Sequence, residues 1–195
     1  MRLRLAAYIA SEDWRKEYDD VGDFHEGFAM VLDGQWGWVN TKGDVVIPLK
    51  YDWGEDFHGG FAKVRLNDKW GFVNTQGEEV IPLKYDYVLH FWEGFARVKL
   101  NGKWGSINKK GEIVIPLKYD HIGDFQDGFT AVKLNGKWGL INTQGEEVVP
   151  LMYSEKEWTQ LQALVGTGEY GGTLKQQYKE AHEEFQIWKR ENEHK

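Results

Sequence analysis

The feature that most constrains this chain is a pattern of residues that recurs every 34 positions. In each copy a Trp-Gly pair is followed by Asn, Gly, Pro and Tyr at fixed distances. The tryptophans are Trp36, Trp70, Trp104 and Trp138, and the only four prolines are Pro48, Pro82, Pro116 and Pro150. A partial copy precedes them, in which Tyr18 and Phe24 match. A repeat of about 20–50 residues is typical of units that bury their apolar faces by stacking on neighbours.

The copies share the pattern Y-D-x4-F-x-x-G-F-A-x-V-x-L-N-G-K-W-G-x-[VI]-N-x-x-G-x-x-V-I-P-L-K. This pattern resembles the WG-repeat (KWG-repeat) family, which is found mostly in bacteria, and the match covers residues 18–153. The resemblance implies an all-β repeat array. It implies no catalytic residues, because the family has no agreed ones to carry over.

The residues predict the strands of one repeat independently of the resemblance. Asn101-Gly102 lies between two alternating segments, and Asn-Gly is the strongest short-range signal for a hairpin because a type I′ turn needs positive φ at both central positions. Gly111 marks a second hairpin loop, and Pro116 ends the third strand because proline cannot donate to the ladder. Each repeat is therefore predicted to be a three-stranded antiparallel meander with a connecting loop.

Pairing across the Asn101-Gly102 turn predicts which side chains share a face. Lys99 should lie opposite Trp104, and Val98 opposite Gly105. One face then carries Ala96, Val98, Leu100, Gly105 and Ile107, and the other carries Arg97, Lys99, Trp104 and Ser106. We expect the first, apolar face to be the buried one.

The first full copy is one residue shorter than the others between its glycine and its tryptophan. Gly27 and Trp36 are nine positions apart, whereas Gly94 and Trp104 are ten apart. A one-residue change turns every side chain of a strand to the other face unless the turn absorbs it. We interpret this copy as an atypical N-terminal cap of the array.

The predicted fold is an all-β repeat array of stacked three-stranded antiparallel meanders, solenoid-like, with a C-terminal helical cap. A repeat of 34 residues is short for a propeller blade, which has four strands and about 40–50 residues. A short fourth strand in residues 85–91 would make a small β-propeller, and this is the alternative. The array is assigned to residues 1–153 and the helical hairpin to residues 154–195.

The pattern stops after Tyr153, and the C-terminal segment reads as two helices. Ser154 followed by Glu157 is a capping-box signature. A single apolar stripe at helical spacing is formed by Leu174, Tyr178, Ala181, Phe185 and Trp188. We expect the helices to dock on the last repeat; a partner-binding or dimerising helix is the alternative.

Composition narrows the class of function. The net charge of −7 disfavours a nucleic-acid-binding protein, which needs clustered Lys and Arg. There is no cysteine, and no apolar run reaches the length that spans a membrane. The apolar segment 5–10 is too short for a secretory signal and is predicted to be a first strand. We expect a cytoplasmic protein.

Three motifs resemble chemical sites, and we interpret each as structural. GTGEYG at 166–171 matches a dinucleotide fingerprint but lacks the βαβ context, so we expect a helix–helix turn. His25 and His58 share one repeat position and are expected to approach each other, yet no histidine spacing fits a metal site. Asp52 and its equivalents recur in every copy, as turn-capping residues do. We expect no metal and no cofactor.

Cations are predicted beside three of the repeated tryptophans. The strand register places Arg65, Lys99 and Lys133 next to Trp70, Trp104 and Trp138 respectively. Such pairs can bind an anion or stack a base, or the alkyl stems can simply cover the indole rings. The acidic net charge favours the second interpretation.

The positions at which the copies differ are the better guide to function, because the shared positions hold the fold. Two such positions lie in the connecting loops, and the candidate partner-binding residues at them are Trp53, Tyr87, His121, His25, His58 and Trp92. Loop aromatics suit a protein hot spot or the stacking of sugar rings. We predict a non-enzymatic binding module, a protein–protein interaction platform, with a glycan-binding module as the alternative.

Overall fold

The structure is a computed structural model that describes residues 13–166 and 172–192. The predicted first strand at 5–10 lies outside the described residues, as does most of the GTGEYG segment. No helix in the described part of the chain is both long and apolar enough to cross a membrane. The chain divides into two compact units, Met1–His90 with Lys109–Gly111 and Phe91–Asn108 with Glu112–Lys195, called unit 1 and unit 2 below.

Sixteen strands in the described residues form four sheets of four strands, preceded by a short 3-10 helix at Asp13–Glu17. The first eight strands are β1 (Asp20–His25), β2 (Phe28–Asp33), β3 (Gln35–Asn40), β4 (Val45–Tyr51), β5 (Trp53–Gly54), β6 (Phe61–Leu66), β7 (Lys69–Asn74) and β8 (Glu79–Tyr85). The next eight are β9 (Tyr87–Val88), β10 (Phe95–Leu100), β11 (Lys103–Asn108), β12 (Ile113–Tyr119), β13 (His121–Ile122), β14 (Phe129–Leu134), β15 (Lys137–Asn142) and β16 (Glu147–Tyr153). Neighbouring strands are antiparallel and follow the order of the sequence, as in β5-β6-β7-β8.

The all-β repeat array is confirmed, with one more strand in each sheet than the predicted meander. The added strand has only two residues, as in β9, which lies inside the segment 85–91 where a short fourth strand was considered. Two residues carry too little periodicity for a pattern to reveal a strand; the ladder bonds to the next strand define it, as Trp53 opposite Arg65 shows for β5.

The predicted turns are present with the expected backbone. Asn101 and Gly102 have φ of 52° and 78°, the left-handed values that a type I′ turn requires. The repeated Asn holds the second loop, since the side-chain oxygen of Asn74 accepts hydrogen bonds from the backbone N–H of Gln76 and Glu78, at 3.0 and 2.9 Å. These local contacts explain why Asn recurs at this position.

The repeated aspartates accept hydrogen bonds from the backbone of hairpin turns that lie further along the chain. Asp52 accepts a hydrogen bond of 2.7 Å from the backbone N–H of Asn67, and Asp120 does the same for Asn135, also at 2.7 Å. Each carboxylate therefore holds the hairpin turn between the second and third strands of the sheet that it precedes, 15 residues further along the chain. The structural interpretation of the repeated Asp is confirmed for Asp52 and Asp120.

The predicted register is confirmed, and the predicted burial is correct for one face only. Val98 pairs with Gly105 and Lys99 with Trp104. On the face expected to be open, Ser106 is 0% exposed, and Trp38 at the equivalent position of the first copy is also 0% exposed. Both faces of the strand are therefore covered at this position.

The first copy keeps its register because the turn absorbs the missing residue. Leu32 pairs with Trp36, and Asp33 with Gln35, so that Gly34 alone forms the turn at φ 68°. Glycine enters this left-handed backbone region without the steric cost that a side chain brings. The Trp14 ring of the 3-10 helix packs beside this copy's buried cluster, as a terminal cap would.

Each unit has its own core of repeated residues. In unit 1 the main cluster is Met30, Trp38, Ile47, Tyr51, Phe57, Ala62, Val64 and Val73. In unit 2 a comparable cluster is Ile115, Tyr119, Ile122, Phe125, Val132 and Ile141. The repeated Tyr and Phe of the consensus thus lie in the interior, where burying each contributes about 1.5–3 kcal/mol.

The C-terminal segment forms two helices, α1 (Glu155–Gly166) and α2 (Leu174–Asn192), which pack on the last sheet of unit 2. The capping box is present, since Glu157 accepts hydrogen bonds from the Ser154 backbone N–H and hydroxyl, at 2.8 and 2.7 Å. Ala181 and Phe185 are buried, as the stripe predicts. Trp188 differs from the prediction: it is 54% exposed, and its ring lies against Phe185 with centroids 5.7 Å apart.

Candidate functional site

The six predicted binding residues occupy two positions of the repeat. Trp53, Tyr87 and His121 are the first residues of the two-residue strands β5, β9 and β13. His25, His58 and Trp92 lie next to the tight turn that precedes the second strand of each sheet. His58 and Trp92 each form a backbone bridge across that turn, to Phe61 and Phe95.

In unit 1 the first position lies against the repeated tryptophans. The Trp53 ring packs edge-on against Trp36, with ring centroids 6.3 Å apart, and the Tyr87 ring packs in the same way against Trp70 at 5.7 Å. Both Trp53 and Tyr87 remain well exposed, at 44% and 40%. Each contact joins residues 17 positions apart, which is half a repeat.

Two cationic side chains, Lys63 and Arg65, lie beside these rings. Arg65 pairs across the strands with both Trp53 and Trp70, so the three side chains share a face, and its guanidinium lies 5.7 Å from the centre of the Trp70 ring. The Lys63 ammonium lies 5.4 Å from Trp70 and 5.9 Å from Tyr87. We call Trp36, Trp53, Lys63, Arg65, Trp70 and Tyr87 the unit 1 ladder.

The two cations of the unit 1 ladder differ in their charge partners. Lys63 is almost fully buried and forms an ion pair of 2.7 Å with Glu55. Arg65 has no acidic partner within the described residues, and its Nε atom is buried without an acceptor there. The ladder therefore presents one uncompensated positive charge between two aromatic rings.

In unit 2 the same arrangement ends against the first helix. Lys133 lies 5.3 Å from the centre of the Trp138 ring. One carboxylate oxygen of Glu155 accepts hydrogen bonds from Lys133 Nζ and Trp138 Nε1, both at 2.7 Å. Trp158 stacks on Trp138 with centroids 6.1 Å apart and ring planes within 7°.

The predicted pairing of cations with tryptophans is confirmed in all three copies, since Lys99 also lies over Trp104 at 5.6 Å. His121 packs against Trp138 at 5.2 Å. Partial desolvation, followed by the charges of Arg97 and Lys133, lowers the pKa of His121 below its ordinary value. The shift favours the neutral form of the ring.

The second position forms a histidine row in unit 1. His25 and His58 do approach, with ring centroids 6.5 Å apart, but the rings are tilted by 51° and are not stacked. His90 adds a third ring, 5.5 Å from His58, and its Nε2 lies 2.8 Å from Glu55. Desolvation, with the nearby Lys63 charge, lowers the pKa of His90.

Trp92 of unit 2 differs from the histidines at its repeat position. Its ring is 64% exposed, more than any other large hydrophobic side chain in the described residues. No group of three or more His, Asp or Glu in the described residues has the geometry to hold a metal ion.

Two residues of these surroundings were missed by the sequence reasoning, although each carries a signal. Glu155 is the repeat equivalent of Trp53, Tyr87 and His121, two places after the repeated Tyr, but the pattern was taken to stop at Tyr153. His90 stands where the other copies have Asp before the Phe, for example Asp56. Aligning every copy position by position, including the copies whose residue type differs, would have identified both residues.

Comparison with known proteins gives a family and distant structural similarity. No curated protein matches the sequence of the chain. Among solved structures, Kluyveromyces lactis Hsv2p is similar at 9% identity and a TM-score of 0.40, over 69% of this chain and 51% of that one. The N-terminal domain of Nup159 is similar at 10% identity and a TM-score of 0.39, over 70% and 44%. The chain thus spans about half the length of these structures, and at these TM-scores the similarity carries no inference about function.

The family comparison covers most of the chain. The model described as "WG containing repeat" matches residues 16–35, 36–70, 70–104, 104–138 and 138–155. These matches begin and end close to the repeated tryptophans that organise the four sheets. Because they are consecutive and span more than half of the sequence, the chain belongs to the WG-repeat family.

Proposed function

We propose that this chain is a non-enzymatic binding module that serves as a protein–protein interaction platform. The observation that carries the proposal is the exposure of the aromatic side chains that do not recur. Trp53, Tyr87 and Trp92 are 44%, 40% and 64% exposed, whereas the repeated Tyr51 and Tyr85 are at most 1% exposed. Exposed aromatic residues beside a cation are the residue types that dominate protein–protein hot spots.

Each unit offers its own contact surface under this proposal. Unit 1 contributes the unit 1 ladder and the neighbouring histidines, His25 and His58. Unit 2 contributes Trp92 and His121. A cytoplasmic location and the absence of enzymatic activity belong to the same proposal; turnover in an unbiased activity screen would contradict it.

The test is capture of partners by the immobilised chain from a lysate of the source organism, with quantitative mass spectrometry. The variant W53A/Y87A/W92A should lose a specific partner while its thermal transition falls by only a few degrees, because the edge-on contacts of Trp53 and Tyr87 contribute about 0.5–1.5 kcal/mol each. A large loss of stability would show that these rings belong to the core.

The matched control removes exposed aliphatic side chains instead. Val45, Ile113 and Ile187 are 50%, 54% and 48% exposed, and V45A/I113A/I187A should capture the same partner as the unaltered chain. Equal loss in both variants would mean non-specific adhesion. Capture unchanged in the aromatic variant would place the contact elsewhere and contradict the proposal. Binding of the chain to a glycan array would support the glycan-binding alternative instead.

A further inference from the structure

The last repeat shows, within this chain, what a carboxylate does when it meets a repeated tryptophan and its cation. Glu155 receives hydrogen bonds from both Lys133 and Trp138 on a single oxygen, at 2.7 Å each. A carboxylate with two donors, one of them charged, makes bonds roughly twice as strong as neutral ones. The Trp–cation pair is therefore a carboxylate-binding arrangement, and in unit 2 the chain fills it with its own side chain.

The equivalent pair in unit 1 is not filled in this way. Trp70 and Arg65 stand at the repeat positions of Trp138 and Lys133, and they pair across the same two strands of their sheet. The repeat position of Glu155 is taken by Tyr87, which has no carboxylate. Within the described residues no acidic side chain pairs with Arg65, and its Nε is buried without an acceptor.

We propose that the Arg65–Trp70 pair is a binding site for the side-chain carboxylate of an acidic peptide segment in a partner protein. The proposal rests on the proposed function and names the chemistry of the partner. Arg65 suits the role because its planar guanidinium offers several N–H donors that match a carboxylate. Trp53 and Tyr87 flank the pair with exposed ring surface for the neighbouring residues of the segment.

The charge of the chain makes such binding selective. A net charge of −7 repels acidic peptides in general, so saturable binding must come from local cations. Lys63, the other cation of the unit 1 ladder, is already neutralised by Glu55 at 2.7 Å. Arg65 therefore supplies the uncompensated charge at this place.

The experiment measures binding of a fluorescein-labelled peptide of five glutamates with an amidated C-terminus, by fluorescence anisotropy on the full chain. A five-glutamine peptide with a free C-terminal carboxylate is the comparison. We expect saturable binding of the first and none of the second. R65Q should weaken binding about tenfold or more, because it removes a charge-assisted bond. K42Q removes one charge from an exposed lysine elsewhere in unit 1 and should have no effect.

A second pair of variants imitates the last repeat. Y87E places a carboxylate at the repeat position of Glu155, where it should occupy Arg65 and Trp70 and abolish peptide binding. Y87Q makes the same loss of the ring without the charge and should retain binding. In the unaltered chain, the indole N–H resonance of Trp70, assigned by W70F, should shift when the glutamate peptide is added.

Several results would overturn the inference. These are no saturable binding, equal binding of both peptides, binding of the glutamine peptide alone (a C-terminal carboxylate), or equal affinities of Y87E and Y87Q. Thermal unfolding of each variant shows whether a loss reflects misfolding. In the lysate capture, R65Q retaining the partner that W53A/Y87A/W92A loses would contradict this inference and leave the proposed function standing.

Discussion

Trp138 in the last repeat and Trp70 in unit 1 occupy the same position of the repeat, but different groups cover them. Trp138 is hydrogen-bonded by Glu155 and stacked by Trp158, both from α1. Trp70 has two cations and the half-exposed Tyr87 ring beside it. The same position of the repeat can thus be contacted by a carboxylate and a stacked ring, or by cations and an edge-on ring. Terminal repeats usually need such a cover, since no further repeat buries them.

The largest expected effect comes from removing the cover of the last repeat. W158A deletes a ring that is 3% exposed and lies between Trp138 and Tyr178, so we expect a loss of about 3–5 kcal/mol in the free energy of unfolding. Denaturant unfolding measures it. W92A, which removes a largely exposed ring, should change the same quantity by no more than about 0.5 kcal/mol. Similar values for both variants would show that the helices do not cap the array.

A second prediction tests whether the backbone packs equally tightly beside Trp70 and beside Trp138, although different groups contact the two rings. A Cβ added at Gly71 would lie 2.4 Å from the Ile81 carbonyl oxygen, and one at Gly139 would lie 2.6 Å from that of Val149. Because both obstacles are backbone, G71A and G139A should each destabilise the chain by about 1–3 kcal/mol. The control is G123A, whose nearest atom is 3.5 Å away. Unequal effects of the first two would break the equivalence of the regions.

The third prediction concerns the capping box that begins the cover. Hydrogen bonds from Lys189 first, and then from Ser154, lower the pKa of Glu157 to about 2. Since this is below the ordinary value of 4.5, the stability from Glu157 is present above pH 4.5 and is lost as the pH falls toward 2.

E157Q should therefore cost about 0.5–2 kcal/mol at pH 7, as the loss of a helix cap does. It should also reduce the fall in stability between pH 4.5 and 2, measured by urea unfolding at a series of pH values. An unchanged pH profile in E157Q would show that another group is responsible for that part of the acid dependence.

The smallest effect is spectroscopic and compares the two tryptophans directly. The Lys133 hydrogen bond, followed by that of Trp138, lowers the pKa of Glu155. In the absence of ligand, the indole N–H resonance of Trp138 should therefore move on acidification with a midpoint below 4.5, whereas that of Trp70 should not follow it. E155Q should abolish the movement. A matching movement of Trp70 would mean that its indole already has a carboxylate partner.

Much of the fold could be read from the sequence because its determinants are local. The turn at Asn101-Gly102 needs only its own two residues, and once the turn is known the pairing of Lys99 with Trp104 follows. The cation–Trp pairs of the candidate site follow from the same register. The binding role of Trp53, Tyr87, His121, His25, His58 and Trp92 stays a prediction.

The sequence by itself determined the repeat, its turns, its register and the positions that vary between copies. Only the tertiary structure decided what lies against each repeated tryptophan, that Ser106 is buried, and that Trp188 remains half exposed. The physical reason is the distance along the chain between the residues that interact. Turn and register depend on neighbours within a hairpin, whereas the cover of a tryptophan comes from a residue half a repeat away or from a helix that does not repeat. That difference separates Trp138, which Glu155 and Trp158 of α1 contact, from Trp70, which Arg65, Lys63 and Tyr87 contact.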